Sequence, residues 1–267
     1  MTMIRLGLIG YGKAGQAVAA VLNDDPRFDL RWIARRSTQR EAEGLRSVIL
    51  DGNTFPDWLD QHPVDAVIDF SHADAVLSYG EALRQRGIRL VSAVSSYPDA
   101  TLAYLHELSR DIPVMASPNI TLGINFLMLA ARLLKRIAPA ADVAILEQHF
   151  REKPEISGTA KKIAATLSME DEEITSLRLG GIVGQHEVIF GFPHQTVRLV
   201  HNSIRREAFG TGAAFAVEQL MGLGKGFYTF EQLLQRIVLE ELQHEDIAPP
   251  AKLTYQDSSG RIRQLSS

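Results

Sequence analysis

The sequence predicts an α/β protein that combines a doubly wound parallel sheet with a second, α+β domain containing a mixed or antiparallel sheet. Two observations predict the first part: a glycine-rich turn stands between a strand pattern and a helix pattern, and strands then alternate with helices as far as residue 116. Three strand-like segments at 174–179, 187–192 and 196–200, with a turn at 192–195, predict the second part.

The composition is typical of an ordinary globular protein and excludes several function classes. The chain has 267 residues, of which 45% are apolar and 22% charged, with a net charge of -4. This slight acidity, without a long basic tract, argues against a general affinity for nucleic acid. The absence of cysteine excludes disulfides and thiolate metal sites. The apolar run at the N-terminus is too short and glycine-interrupted for a membrane span, so we expect a cytoplasmic protein.

The first predicted strand, at residues 4–9, runs directly into GYGKAG at 10–15, and a helix pattern follows at 16–22. Gly-x-Gly-x-x-Gly between a strand and a helix is typical of Rossmann-type dinucleotide sites, because glycines allow a tight turn and the close approach of a pyrophosphate. A plain glycine turn is the alternative. The cofactor-binding residues predicted in this loop are Gly10, Gly12, Lys13, Ala14 and Gly15.

The second predicted strand, at 28–34, ends in Arg35 and Arg36, about twenty residues after the glycines, where a site that prefers NAD usually carries an acid. Arginine binds phosphate through its charge and its planar fork, so this pair suits the 2′-phosphate of NADPH. We therefore expect NADPH as the cofactor, with NADH as the alternative. Both arginines could instead be solvated charges at a strand end.

The rest of the first domain places polar residues where predicted strands end. A polar span at 37–62 with one helix pattern comes first. Strand and helix patterns then follow at 64–71, 73–86, 88–94, 100–109 and 113–116. Parallel sheets of this kind bind ligands at the carboxyl ends of their strands, although each polar residue alone also fits an ordinary turn. The further cofactor-binding residues that we expect here are Phe70, Ser71, Ala93, Val94, Ser95 and Asn119.

Unlike functional groups gather after a predicted strand at 141–146. His149 can deliver a proton near neutral pH, and Lys153 can pair with an anion. Ser157, Gly158 and Thr159 open a helix pattern, whose free N–H groups and positive dipole end favour a carboxylate or a phosphate. Together these residues predict a site for a small acidic substrate. Taken singly, they also fit a surface histidine, a solvated lysine and a helix N-cap.

A turn before a long apolar helix pattern at 124–137 marks the predicted domain boundary. We expect residues 1–121 and 207–267 to form the dinucleotide-binding domain, and residues 122–206 to form the substrate-binding and oligomerisation domain. Because an open sheet often pairs with copies of itself, we expect a homo-oligomer. His186 and His201 lack the short ligand spacings of zinc motifs, so we expect no metal.

A series of motifs resembles that of the dihydrodipicolinate reductases (4-hydroxy-tetrahydrodipicolinate reductases) of bacterial and plant lysine biosynthesis. The resemblance extends from the glycine loop to about residue 242, and its specific part is the order of the motifs. After the glycine loop, that order is Asp69-Phe70-Ser71, Asn119-Ile120-Thr121-Leu122-Gly123, Glu147-Gln148-His149, Lys153, Ser157-Gly158-Thr159-Ala160, and Arg178, Gly180, Gly184 and His186.

The resemblance implies a tetrameric, NAD(P)H-dependent reductase that passes a hydride to a small cyclic, unsaturated dicarboxylate. It implies that His149 is the general acid and that Lys153 assists protonation and binds the substrate. Ser157, Gly158 and Thr159 would hold a carboxylate. These roles agree with the chemistry inferred from the residues, since a proton must follow the hydride.

The sequence departs from the family pattern at three places. Phe150 stands where family members usually have a second histidine, and a phenyl ring cannot donate a hydrogen bond to a carboxylate. The segment between Lys153 and Ser157 is one residue shorter than usual, and the loop at 93–96 replaces a turn rich in glycine and threonine. Two alternatives therefore stay open: a reductase of a different carboxylated imine, and a non-catalytic module that senses NADPH.

Overall fold

A computed structural model describes residues 3–36, 44–244, 254–256 and 262–264 of the chain. The chain divides into two compact units, Met1–Leu233 and Leu234–Ser267. Part of the polar span at 37–62, residues 37–43, lies outside the described residues, as does most of the C-terminal stretch after residue 244.

Within its described residues, the first unit contains eleven strands, and helices connect most of them. The strands are β1 (Ile4–Ile9), β2 (Phe28–Arg35), β3 (Arg46–Ile49), β4 (Ala66–Asp69), β5 (Arg89–Ser92), β6 (Pro113–Ala116), β7 (Asp142–His149), β8 (Ile174–Arg178), β9 (Gln185–Phe192), β10 (Gln195–Asn202) and β11 (Gly226–Tyr228). The helices are α1 (Lys13–Asp24), α2 (Phe55–Gln61), α3 (Val76–Arg86), α4 (Asp99–Leu108), α5 (Leu122–Ile137), α6 (Gly158–Thr166), α7 (Ala208–Met221) and α8 (Phe230–His244), which continues into the second unit.

Seven strands form a parallel sheet in the order β11-β6-β5-β4-β1-β2-β3. Helices α1 and α7 contact each other, while α3 contacts both α2 and α4, so the sheet is accompanied by two separate helix groups. The apolar core beside α2, α3 and α4 is built around Trp32, Phe55 and Tyr79, and the rings of Trp32 and Phe55 meet edge to face with centroids 5.5 Å apart. The prediction of a Rossmann-type sheet is confirmed.

Four strands form a second, mixed sheet in the order β10-β9-β7-β8. Strands β7 and β8 are parallel, whereas β9 is antiparallel to both β7 and β10. Helices α5 and α6 pack on this sheet over a core that includes Met128, Ile145, Ile163 and Phe190. The prediction of a second α+β part with a mixed sheet is therefore confirmed.

Strand β7 ends three residues later than predicted. The apolar pattern ended at residue 146, but the strand continues through Glu147 and His149, which pair in register with Ser176 and Arg178 of β8. Burial and hydrogen bonds to neighbouring strands, rather than apolar side chains, stabilise this end of the strand. His149 consequently lies on a strand and not in the loop after it.

In the second unit, β12 (Thr254–Gln256) and β13 (Ile262–Gln264) form an antiparallel pair.

In the first unit, α7 contacts α1, β5 and β6, so the chain returns to the parallel sheet after the second sheet is complete. This return is what the predicted domain division requires, and the division itself stays a prediction.

Candidate active site

A cavity of about 670 Å³ lies at the carboxyl ends of β1, β2 and β4. The predicted cofactor residues that line it are Gly10, Gly12, Arg35, Arg36, Phe70 and Ser71. An adjoining cavity of about 150 Å³ shares Phe70 and Ser71 with it, and is also lined by Ala14, Ala93, Val94 and Ser95. We refer to these as the dinucleotide cavity and the small cavity. Their position at the carboxyl edge of a parallel sheet suits a dinucleotide.

Three predicted cofactor residues line neither cavity in the described part of the chain. Lys13 is exposed on the first turn of α1, and Gly15 is buried under the glycine turn. The Asn119 side chain is directed into its own turn, where its Oδ1 atom accepts hydrogen bonds from the backbone and hydroxyl of Thr121 at 2.9 and 2.6 Å. Asn119 therefore shapes the chain before α5.

The glycine turn and the Arg35 side chain fit a bound dinucleotide. Gly10 has φ +90, and a Cβ there would lie 2.7 Å from the Phe70 carbonyl, so only glycine suits this position. Arg35 is 8% exposed, and its guanidinium carbon lies 4.8 Å from the centre of the Tyr11 ring. Its Nε and Nη2 atoms are buried without a hydrogen-bond partner. Buried donors without a hydrogen-bond partner are energetically unfavourable, so these two atoms suit a bound anion.

A buried carboxylate supports the loop that the two cavities share. Asp69, at the end of β4, accepts hydrogen bonds from the Ser71 backbone at 2.7 Å, from the Ser71 hydroxyl at 2.5 Å and from the Tyr79 hydroxyl at 2.5 Å. Burial raises the pKa of Asp69, and the bonds from Ser71 and Tyr79 oppose that effect. The Asp69 side chain thus fixes the loop that carries Phe70 and Ser71.

A second site is built at one end of the mixed sheet. Residues 147 and 149 share a face of β7, because side chains alternate along a strand. His149 is 7% exposed, and its Nδ1 atom is hydrogen-bonded to the carboxylate of the fully buried Glu147. The same carboxylate accepts hydrogen bonds from the Arg178 guanidinium and the Ser176 hydroxyl, both at 2.8 Å. These partners come from the neighbouring strand β8.

The environment of Glu147 keeps it ionised. Burial alone would raise the pKa of this carboxyl group. Hydrogen bonds from Arg178, Ser176 and His149 outweigh burial and lower the pKa to about 2. The His149 imidazole is therefore held against a permanent negative charge across the neutral pH range.

Ser157 connects the start of α6 to His186 on β9. Its hydroxyl oxygen accepts a hydrogen bond from the Thr159 backbone at 3.2 Å, as a helix N-cap does, and lies 2.9 Å from His186 Nε2. Burial, together with the neighbouring His149 and His201, lowers the pKa of His186 to about 4, so this ring is neutral at pH 7. The free N–H groups at the start of α6 then lie beside a neutral, buried histidine.

Arg178 also organises the segment that carries Lys153. Its Nε atom donates to the Lys153 carbonyl at 2.9 Å, and its Nη2 atom donates to the Glu155 carbonyl at 2.8 Å. The Lys153 side chain is partly exposed, and among the described residues no carboxylate pairs with its ammonium group. The structure thus brings His149, Lys153 and Ser157 together, with Gly158 and Thr159 following at the start of α6.

A third cavity, of about 780 Å³, lies near this site and meets the small cavity at Phe209, a residue that lines both. Its lining includes Phe150, His201, Arg205 and Arg206. The cavities therefore form a series that leads from Arg35 past Phe70 and Phe209 to the neighbourhood of the second sheet.

Sequence reasoning named His149, Lys153 and Ser157 but gave no role to Glu147, Arg178 or His186. The signal for Glu147 was its spacing of two from His149, which places both side chains on one face of a strand.

Within the described ranges, no group of three or more histidine, aspartate or glutamate residues is arranged to hold a metal ion. Nor does any helix in those ranges combine the length and apolar character needed to cross a membrane.

The structure has a glycine turn and an unpaired arginine in a cavity at the carboxyl edge of a parallel sheet, and a buried histidine–carboxylate pair nearby. These features define a dinucleotide-dependent oxidoreductase. Family models agree with this class: the N-terminus of dihydrodipicolinate reductase matches residues 4–120, and its C-terminus matches residues 120–234. The chain belongs to the dihydrodipicolinate reductase family, whose members are NAD(P)H-dependent oxidoreductases.

Two relatives and one solved structure illustrate the similarity. The 4-hydroxy-tetrahydrodipicolinate reductase of Caldanaerobacter subterraneus subsp. tengcongensis is 31% identical, over 88% of this chain and 99% of its own length. That of Archaeoglobus fulgidus is 27% identical, over 86% and 96%. A dihydrodipicolinate reductase from Paenisporosarcina sp. TG-14, solved with dipicolinate bound, superposes with a TM-score of 0.75 at 22% identity, covering 85% of this chain and 98% of its own. This last likeness is one of fold.

Proposed function

We propose that this protein is an NADPH-dependent 4-hydroxy-tetrahydrodipicolinate reductase of lysine and diaminopimelate biosynthesis. The observation that carries the proposal is the buried Glu147–His149 pair beside the start of α6, which brings a proton donor close to an anion-binding helix end. The relatives named for this activity support the choice of substrate.

Each candidate residue has a role in the proposed reaction. A nicotinamide cofactor held by the residues of the dinucleotide cavity would supply a hydride to the unsaturated ring of the substrate. His149 delivers the accompanying proton from Nε2, since Nδ1 faces Glu147. The Gly158 N–H group and the hydroxyls of Ser157 and Thr159 bind one carboxylate, because the N–H groups of Ser157 and Thr159 already have partners within the protein. The Lys153 ammonium offsets the remaining negative charge.

Preference for NADPH over NADH is part of the proposal. The unpaired Nε and Nη2 atoms of Arg35 support it, together with Arg36 at the rim of the same cavity. The glycine turn would then hold the pyrophosphate of the cofactor through its predicted binding residues Gly10, Gly12, Lys13, Ala14 and Gly15. Residues 1–121 and 207–267 would carry the cofactor, and residues 122–206 the substrate.

We also propose a cytoplasmic homo-oligomer that associates through the open face of the mixed sheet. Leu177 and Val200 point to the face away from His149 and are 39% and 49% exposed, respectively. An exposed apolar sheet face commonly marks a protein contact. Light scattering should give a mass that is a multiple of the 29.5 kDa chain, and a strictly monomeric protein would contradict this part of the proposal.

A single assay tests the activity. When purified protein is mixed with NADPH and the enzymatically generated cyclic dicarboxylate, the nicotinamide absorbance should decrease.

Phe150 favours a different carboxylated imine as the substrate of a second candidate function. It is 41% exposed in the third cavity and offers no hydrogen-bond donor. Turnover of the dicarboxylate by Phe150→His and not by the wild type would favour that second candidate. NADPH binding without reduction of any carboxylated imine would identify a sensing module instead.

A further inference from the structure

The Glu147 carboxylate is hydrogen-bonded on both oxygens, and the two oxygens have different partners. Oε1 accepts from Arg178 and Ser176 at 2.8 Å each, and lies 3.4 Å from the Ser157 backbone nitrogen. Oε2 has His149 Nδ1 as its partner. Three donors from two other chain segments therefore fix the carboxylate, and one oxygen remains directed at the imidazole.

We infer that Glu147 is a positioning residue for His149: it holds the proton of the ring on Nδ1 and presents Nε2 to the substrate. This inference rests on the proposed function, in which His149 delivers a proton. A carboxylate that accepts from Nδ1–H fixes both the tautomer and the orientation of a histidine ring, and it stabilises the imidazolium form. Glu147 acts on the reaction through His149 and does not itself contact the reacting atoms.

The other groups around His149 cannot replace Glu147. The His186 ring stands edge-on at a centroid distance of 5.3 Å, and it is neutral at pH 7. On the other side, a Cβ at Gly184 would lie 3.0 Å from His149 Nε2, so the backbone there approaches the ring closely. The charges next to this cluster, Lys153 and Arg178, are positive and oppose an imidazolium. Among the charged groups next to the His149 ring in the described residues, Glu147 is the one that carries a negative charge.

Glu147→Gln separates the positioning role from simple packing. Arg178 can only donate, so the amide must turn its oxygen toward Arg178 and its NH2 group toward His149. Nδ1 must then accept a hydrogen bond, which moves the proton of the neutral ring to Nε2. In the protonated ring, Nδ1–H would face the NH2 group, so the imidazolium is disfavoured.

We expect Glu147→Gln to lower kcat about a hundredfold or more at neutral pH, the contribution of a general acid, while KM and the affinity for NADPH change little. Lowering the pH should recover part of the lost rate, because it restores the protonated ring. The pKa of Glu147 itself is about 2, so the wild-type carboxylate does not titrate in this range. Glu147→Asp keeps the charge and should retain more activity than Glu147→Gln.

Asp65→Asn is the matched control. Asp65 is also a carboxylate ion-paired with an arginine, Arg5 at 2.6 Å, but it lies just before β4, at the end of the parallel sheet opposite the dinucleotide cavity. We expect it to leave kcat and the pH profile unchanged. A kcat for Glu147→Gln within about threefold of wild type, or an equal loss in both variants, would overturn the inference, since a general acid is worth far more.

A measurement that needs no activity separates this inference from the proposed function. In protein labelled with 15N at histidine, the His149 signals, identified by their absence in His149→Gln, should show Nδ1 protonated in both titration states of the wild type. Glu147→Gln should show Nε2 protonated in the neutral state. An Nε2-protonated neutral ring in the wild type would refute the inference, even if the variant fails to fold or the assay fails. Absence of turnover with the predicted tautomers present would count against the proposed substrate alone.

Discussion

His149→Ala should lower kcat for the cyclic dicarboxylate at least about a hundredfold, because a positioned general acid typically contributes that much or more. The affinity for NADPH should not change, since His149 lines neither the dinucleotide cavity nor the small cavity. Steady-state kinetics give kcat and KM, and a fluorescence titration gives the cofactor affinity. The expected signature is a loss in kcat with cofactor binding intact.

His194→Ala controls for the loss of an imidazole. His194 is exposed on the turn between β9 and β10, on the same sheet as His149 but without a part in its hydrogen-bond network. Its replacement should leave kcat unchanged. A near-normal rate in His149→Ala would remove this histidine from the mechanism and leave Lys153 as the remaining candidate proton donor.

The fold could be predicted from the sequence because its elements carry local signals. The strand at 113–116 was predicted with the bounds that the structure has, since four buried residues are flanked by polar turns. Strand β11 was not predicted. It is three residues long and partly buried, and its place at the sheet edge depends on pairing with β6, which lies far away in the sequence.

The candidate site could be predicted only in part, because its key contacts depend on strand register. The sequence places His149 and Glu147 two residues apart, but it does not show that Arg178, thirty-one residues after Glu147, pairs with the same carboxylate. That contact exists because β7 and β8 are parallel and aligned so that His149 stands beside Arg178. The hydropathy pattern also predicts too early an end for β7, because the last residues of that strand are polar although they are buried and hydrogen-bonded.

Arg35→Ala combined with Arg36→Ala should weaken NADPH binding about ten- to hundredfold while NADH binding changes little. Hydrogen bonds to a charged partner contribute about 1.5–3 kcal/mol, which corresponds to that range of affinity. Arg35 is preorganised for such a bond, because its guanidinium is buried against Tyr11 with two donor atoms free. The ratio of kcat/KM for NADPH and NADH measures the effect.

Arg46→Ala distinguishes a specific phosphate contact from a general loss of positive charge. Arg46 is exposed at the start of β3 and pairs in register with Trp32, whereas Arg35 stands beside Ile49 at the other end of that strand. Its loss lowers the net charge by the same unit as removal of Arg35 alone, but at a distance from the dinucleotide cavity. Selectivity should fall in the Arg35 and Arg36 variant and persist in Arg46→Ala. Equal losses of NADPH and NADH in the double variant would mean that the two arginines bind a part common to both cofactors, such as the pyrophosphate, and that the preference between them arises elsewhere.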